Sequence, residues 1–185
     1  MHGRILSIPN LLTLARIILT PFIVYAIVES EPVAALALMG IAGLTDMLDG
    51  AIARYFNQRS TVGAYLDPLA DKLMLISSIV TLFLIGQMPL FMFLAVVFRD
   101  AVIVVGAVTY ELVTHKLEIQ PTLISKATTF MQIMLVLVTL ASGAWDIPTM
   151  YVKGVIWITF IFTCASGLQY MLVWMRKAVE ASEAD

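Results

Sequence analysis

Residues 44–72 read LTDMLDGAIARYFNQRSTVGAYLDPLADK, a polar stretch between two long apolar runs. The stretch contains four aspartates, which are Asp46, Asp49, Asp67 and Asp71. Its middle, NQRSTVG, is rich in turn residues and predicts a short break between two helices. Residues three or four apart share one face of a helix, so each aspartate pair lies on one face of its own helix. A short connection makes the two helices antiparallel, and we therefore expect all four carboxylates to converge.

The composition around this stretch is that of a membrane protein. The chain has 185 residues, of which 61% are hydrophobic and only 13% are charged. In a soluble domain about a quarter of the residues are charged. The net charge of -2 gives no indication of a nucleic-acid partner. Cys164 is the single cysteine, so an internal disulfide is excluded.

Six apolar segments are long enough to cross a bilayer, for which about 20 residues are needed. They are residues 11–30, 33–56, 66–86, 89–112, 123–144 and 150–174. The sequence therefore predicts an all-α, polytopic membrane protein with six transmembrane helices, forming one domain over residues 1–185. Apolar residues before Pro9 predict a short interfacial N-terminal segment, with a frayed terminus as the alternative.

The distribution of basic residues predicts the orientation. With an even number of crossings, one side of the membrane holds six of them: Arg4, Arg54, Arg59, Lys116, Arg176 and Lys177. The opposite loops contain Lys153. Basic residues are enriched on the cytoplasmic side, so we expect both termini and the aspartates to be cytoplasmic. The expected location is a bacterial inner (plasma) membrane.

The chemistry of the aspartates follows from their convergence. Carboxylates that crowd together away from water must be protonated or neutralised by cations. Oxygen ligands without a nearby His or Cys suit Mg²⁺, Mn²⁺ or Ca²⁺ rather than Zn²⁺. Four carboxylates can balance two divalent cations, an arrangement that serves phosphoryl transfer. Two alternatives remain, because Asp67 before Pro68 fits a helix N-cap and an acidic chain fits an ion or proton pathway. On these grounds catalysis and transport both stay open.

Small residues accompany the aspartates. Gly50 and Ala53 continue the helix face of Asp46, and Gly63 precedes Asp67 by four residues. Such residues allow two membrane helices to pack closely. Taken alone they favour close packing, whereas beside a carboxylate cluster they can also leave a flat slot for a planar group such as a nucleobase.

The aspartate stretch resembles the signature of the CDP-alcohol phosphotransferases, integral membrane enzymes of phospholipid synthesis. It has the form D-x-x-D-G-x-x-A-R, eight further residues, then G-x-x-x-D-x-x-x-D, with all eight positions present. Six spans and cytoplasmic termini agree with that family. The resemblance makes transport a minor alternative and implies a homodimer.

The resemblance also implies a role for each motif position. The four aspartates would bind two divalent cations, Mg²⁺ or Mn²⁺, and Asp71 would in addition be the general base. The cytidine nucleotide of CDP-diacylglycerol would lie against Asp46, Gly50, Ala53, Arg54, Gly63 and Asp67. An acceptor hydroxyl would attack the lipid-side phosphorus, and CMP would leave.

The basic residues within the predicted spans are expected to bind the acceptor's phosphate. They are Arg16, Arg99 and Lys126. For Arg99, an ion pair with Asp100 is the structural alternative.

Two short patterns bear on the acceptor. Arg99-Asp100, the stretch PTLISK at 121–126, and Gln132 resemble the CDP-diacylglycerol-dependent cardiolipin synthases. Phosphatidylglycerophosphate synthases usually show Arg-Glu and Gly-Lys-x-Lys-Thr at these places. We therefore expect phosphatidylglycerol as the acceptor, with glycerol 3-phosphate as the alternative.

Overall fold

The computed structural model describes residues 8–55, 61–114 and 122–183, with side chains described over 10–48, 66–112 and 122–177. The described residues form six α-helices and no strand, which confirms the all-α prediction. The helices are α1 (Ile8–Val28), α2 (Pro32–Tyr55), α3 (Thr61–Leu84), α4 (Leu90–Thr114), α5 (Leu123–Trp145) and α6 (Thr149–Glu183).

Helix α3 begins earlier than its apolar segment. It starts at Thr61 rather than at residue 66, so Asp67 and Pro68 lie inside the helix. The interpretation of Asp67 as an N-cap is therefore wrong. Helical hydrogen bonds depend on the backbone rather than on hydropathy, so a helix can extend beyond its membrane-compatible part. The same applies to α6, which continues to Glu183 beyond the predicted end at residue 174.

Two of the predicted breaks are closed by the same backbone motif. Ser30 after α1 and Gly86 after α3 have positive φ angles of 57° and 77°. The N–H of the next residue donates to a carbonyl five residues earlier, at 2.9 Å for Glu31 and 2.8 Å for Gln87. This is the Schellman arrangement, in which a left-handed residue lets the last carbonyls of a helix find donors.

Four stretches of the described chain are long and apolar enough to cross a membrane. They are Asn10–Val28, Leu90–Leu112, Leu123–Trp145 and Thr149–Lys177. Helix α2 has a shorter apolar run, Pro32–Leu48. Helix α3 carries Asp67, Asp71 and Lys72 in its first half. The four stretches indicate a membrane protein, whereas crossing by α2 and α3 stays a prediction because their charges shorten the apolar run. The predicted interfacial segment lies outside the described residues.

The chain divides into two compact units. The first contains α1, α2, α3 and residues 136–147, and in it α1 packs against both α2 and α3. Ile23 and Leu82 are among its fully buried side chains. The second contains α4, the first part of α5 and α6, with α4 packed against α6 and Met92 fully buried. A single domain over residues 1–185 stays a prediction.

Candidate active site

Helix α1 carries a stripe of buried polar residues along one face. Asn10, Thr13, Arg16 and Thr20 follow one another at spacings of three or four, and all are buried. Polar side chains are costly in an otherwise apolar helix and tend to mark functional positions. Sequence analysis selected Arg16 from this stripe and missed Thr13, although the spacing was visible in the sequence.

Arg16 joins the aspartates of α2 and α3. Its side chain is fully buried, and its Nη2 lies 2.9 Å from Oδ1 of Asp46. Its Nη1 donates to Oδ1 of Asp71. The planar guanidinium presents several donors in a fixed fork, so one side chain can bridge two carboxylates. The guanidinium of Arg16 on α1 therefore holds one aspartate from each of the two motif helices, α2 and α3.

A third aspartate contacts the same stripe of α1. The hydroxyl of Thr13 donates to Oδ1 of Asp67. We call Thr13, Arg16, Asp46, Asp67 and Asp71 the aspartate cluster. The structure thus brings three of the four predicted aspartates against one face of α1.

The cluster combines a buried cation with accessible carboxylates. The side chains of Asp46 and Asp71 are 48% and 51% exposed, whereas that of Arg16 is 0% exposed. Three carboxylates against one guanidinium leave an excess of negative charge. A divalent cation, alone or bound to a phosphate group, can therefore approach the exposed carboxylate oxygens of Asp46 and Asp71.

The donor set of the cluster is suited to hard divalent cations, since carboxylate oxygens are the ligands that Mg²⁺ and Mn²⁺ prefer. Among the described side chains, no group of three or more His, Cys, Asp or Glu is arranged to hold a metal ion. The side chain of Asp49, the fourth predicted ligand, lies outside the described part. The metal site stays a prediction. The exposed carboxylates of Asp46 and Asp71 support it, because a cation could reach them.

The remaining nucleotide-site residues are placed only by their backbones. Gly50, Ala53 and Arg54 lie in the last turns of α2, and Gly63 lies in the first turn of α3. Their side-chain environment is outside the described part. The predicted slot for a nucleobase therefore stays a prediction.

Arg99 is the centre of a separate polar network in the second unit. It is 2% exposed, and its Nη1 lies 2.7 Å from Oδ1 of Asp100. Its Nε donates to the hydroxyl of Ser166 at 3.2 Å, and its Nη2 donates to the hydroxyl of Ser125. Each guanidinium nitrogen thus has a partner within the protein. This geometry favours the structural ion pair, and phosphate binding by Arg99 stays a prediction.

The network continues to the start of α5. The hydroxyl of Thr122 donates to Oε1 of Gln169 at 2.9 Å and accepts the N–H of Ser125 at 3.2 Å. Two residues of the 121–126 stretch therefore fix the beginning of α5 against its neighbours in the second unit. Lys126 follows with an exposed side chain, which leaves its ammonium accessible.

The fold and the aspartate cluster define a class of protein: a helical membrane protein with an acidic site built on three helices. A family model described as CDP-alcohol phosphatidyltransferase matches residues 6–169. The match covers most of the chain and includes the whole aspartate stretch. The chain therefore belongs to the CDP-alcohol phosphatidyltransferase family.

Curated relatives fall under two names. The chain is 35% identical over 189 residues to the "Probable cardiolipin synthase (CMP-forming)" of Drosophila melanogaster, which covers 91% of this chain and 58% of that protein. It is 34% identical over 191 residues to the human cardiolipin synthase (CMP-forming), covering 94% and 63%. It is 35% identical over 126 residues to a CDP-diacylglycerol–glycerol-3-phosphate 3-phosphatidyltransferase of Aquifex aeolicus, covering 67% and 70%. The chain thus spans about three fifths of the two animal relatives.

Proposed function

We propose that this chain transfers a phosphatidyl group from CDP-diacylglycerol to a hydroxyl of phosphatidylglycerol, giving cardiolipin and CMP. The observation that carries the proposal is the aspartate cluster, in which motif aspartates from α2 and α3 meet on Arg16 and Thr13. Such a cluster has a clear use in a family that transfers phosphate-linked groups. The alternative of a cation or proton transporter has no comparable support.

The transfer is a direct displacement at phosphorus. The acceptor oxygen forms a bond to the phosphorus that carries diacylglycerol, and the bond from that phosphorus to the phosphate oxygen of CMP breaks. Asp71 takes the proton of the attacking hydroxyl as general base. Its carboxylate is half exposed, so a substrate hydroxyl can reach it, and the contact with Arg16 fixes its orientation.

Asp46, Asp49, Asp67 and Asp71 would hold two divalent cations, Mg²⁺ or Mn²⁺. When bound, these cations would stabilise the charge that develops on the transferred phosphate and on the leaving CMP. Arg16 keeps Asp46 and Asp71 close despite their mutual repulsion, and Thr13 orients Asp67. The proposed cation site would thereby be assembled partly by residues outside the aspartate motif.

The rest of the site follows from the family resemblance. The cytidine would lie against the small residues Gly50, Ala53 and Gly63, with Arg54 near the nucleotide. Of the three predicted acceptor residues, Lys126 has an exposed side chain, whereas Arg16 and Arg99 are buried. We therefore propose that Lys126 binds the acceptor's phosphate. We further propose six crossings, cytoplasmic termini and a homodimer in a bacterial inner membrane.

The choice of acceptor is supported by the extent of the similarities. The alignments with the two animal cardiolipin synthases cover 91% and 94% of the chain, against 67% for the glycerol-3-phosphate phosphatidyltransferase of Aquifex aeolicus. The similarity to the Aquifex aeolicus enzyme keeps phosphatidylglycerophosphate synthesis as the second candidate function.

An acceptor competition tests the proposal. Purified protein is supplied with CDP-diacylglycerol, Mg²⁺ or Mn²⁺, and either phosphatidylglycerol or glycerol 3-phosphate, and the lipid product is identified. We expect cardiolipin from phosphatidylglycerol. If phosphatidylglycerophosphate forms from glycerol 3-phosphate and no cardiolipin forms, the proposed acceptor is wrong but the type of reaction stands. If neither acceptor leads to release of CMP, both candidate functions are refuted.

A further inference from the structure

A groove runs between α1 and α2 within the first compact unit. Its volume is about 500 Å³, which lies in the usual range of small-molecule sites. Side chains spaced three, four or seven residues apart line it from both helices, so one face of each helix forms a wall. The apolar part of the lining consists of Leu19, Phe22, Ala26, Ala34 and Leu38.

One end of the groove is acidic. Glu29 and Glu31 belong to its lining, together with Tyr25. Both glutamates are exposed, and neither forms an ion pair with any side chain that the structure describes. None of the described residues that line the groove is basic. The groove therefore combines apolar walls with two negative charges that a cationic group can reach.

The backbone fixes the position of the acidic end. In the turn after α1, the N–H of Glu31 donates to the carbonyl of Ala26 at 2.9 Å. The carbonyl of Glu31 accepts the N–H of Ala35, in the first turn of α2, at 3.0 Å. Glu31 is thus hydrogen-bonded to both helices that form the groove. The main chain therefore holds the acidic end at a fixed place relative to the apolar walls.

The acidic end also coincides with the end of an apolar stretch. Asn10–Val28 is long and apolar enough to cross a membrane, and Glu29 follows it directly. Tyr25, one turn before Glu29, is an exposed aromatic residue of the kind enriched at membrane surfaces. When α1 crosses the bilayer, the apolar walls lie at the depth of the acyl chains and the glutamates lie near the headgroups. Glu29 is thirteen residues beyond Arg16, about 20 Å along α1, so this end is far from the aspartate cluster.

These properties restrict the occupant of the groove. The bilayer core contains no water, so apolar walls at that depth favour a hydrocarbon chain over a polar solute. Carboxylates near the headgroups attract an ammonium group and repel an anionic one. A metal ion alone would have no use for the apolar walls. A symmetric contact with a second copy through this surface would bring the like charges of two acidic ends together.

We propose that the groove binds a phospholipid whose headgroup carries an ammonium group. One acyl chain lies between α1 and α2, and the ammonium donates hydrogen bonds to the carboxylates of Glu29 and Glu31. This binding site is distinct from the aspartate cluster, and the inference does not rest on the function proposed above.

Two lipids with the same acyl chains provide the test. They are dioleoyl phosphatidylethanolamine and its N-acetyl derivative, in which an uncharged amide replaces the ammonium. The Kd of each lipid is measured by native mass spectrometry of the 185-residue protein in detergent. We expect the unsubstituted protein to bind phosphatidylethanolamine about three- to tenfold more tightly, the effect of one or two exposed ion pairs.

Removal of the two charges should remove this preference. The double variant Glu29→Gln, Glu31→Gln should bind the two lipids with Kd values within about twofold of each other. The control is Asp146→Asn, an exposed acidic position that does not line the groove, and it should keep the preference. An unchanged preference in the double variant, or no preference in the unsubstituted protein, would overturn the proposal.

A larger side chain in the groove tests the place of the acyl chain. Ala34→Leu should weaken binding of both lipids at least about fourfold, the effect of displacing one buried CH₂ group. Ala37→Leu, at an exposed position of α2 outside the lining, is the control and should bind both lipids normally. Equal lipid binding by the two leucine variants would overturn the proposal. Dissociation of a dimer by Ala34→Leu with unchanged lipid binding would assign the groove to a second copy and overturn it as well. If Ala34→Leu fails to fold, the glutamine variants at their exposed positions decide the question.

Discussion

Arg16 brings one buried positive charge to the point where two carboxylates meet. Removing one partner from a buried ion pair leaves the other charge without compensation. The resulting loss of stability is larger than the net stabilisation that the intact pair provides. Here the uncompensated groups would be Asp46 and Asp71, the aspartates that Arg16 joins. We therefore expect Arg16 to act as a positioning residue for the reaction.

Substitution of Arg16 separates this role from binding of the acceptor's phosphate. Arg16→Lys keeps the charge but not the fork that bridges two carboxylates, so kcat should fall by at least about tenfold. If Arg16 instead bound the acceptor's phosphate, the substitution would chiefly raise the KM for the acceptor. Steady-state rates at varied acceptor concentration make the distinction. Arg176→Lys, at an exposed position of α6, is the control and should change neither parameter.

The sequence was sufficient to predict the aspartates but not what holds them. Asp46 and Asp71 are recognisable from local spacing within α2 and α3. Their link to Arg16 joins residues 30 and 55 positions away, and no local pattern reports such a contact. Thr13 was missed although its helical spacing from Arg16 was visible, because its partner Asp67 lies 54 positions away and no local pattern reports that contact.

At the scale of the elements, the described residues form six helices, but only four of these contain a stretch long and apolar enough to cross a membrane. The difference has a physical reason. Apolar length predicted the helices well, because most of each helix must suit an apolar environment. It placed the start of α3 too late and the end of α6 too early, since both regions are helical but polar. The residues that shorten the apolar length of α2 and α3 are those that build the candidate site.

The packing of α4 against α6 includes one especially close approach, at Gly106. A Cβ at Gly106 would overlap the indole ring of Trp174. The same ring lies next to Tyr110, and the ammonium of Lys177 lies 4.4 Å from the centre of the Tyr110 ring. This end of the second unit is therefore closed by aromatic contacts that require a glycine.

Gly106→Ala should accordingly destabilise the protein by about 1–3 kcal/mol, the usual effect of overpacking. The control is Gly154→Ala on α6, where an added Cβ meets nothing within 4 Å. It should be neutral or slightly stabilising, since alanine favours a helix over glycine. Thermal unfolding of the two variants in the same detergent provides the comparison. Equal stability would contradict the described contact between α4 and α6.

At the scale of the whole molecule, polar and apolar parts have separate tasks. Four long apolar stretches suit the bilayer. Among the described side chains, the buried charged residues are Arg16, in the aspartate cluster of the first unit, and Arg99, in the polar network of the second. The aspartate cluster contains exposed carboxylates, whereas the Arg99 network satisfies its guanidinium internally. The first is therefore suited to chemistry and the second to holding helices in place.

The most direct test of the account is CMP release by the 185-residue chain and by its Asp71→Asn variant. Both are given CDP-diacylglycerol, a divalent cation and the preferred acceptor, and binding of CDP-diacylglycerol is measured in parallel. We predict that the unsubstituted protein releases CMP only when cation and acceptor are present. Asp71→Asn should lose at least about a hundredfold in rate, as expected for loss of a general base, while still binding the nucleotide lipid. Turnover by Asp71→Asn at a near-normal rate would contradict the assignment of the aspartate cluster as the reaction centre.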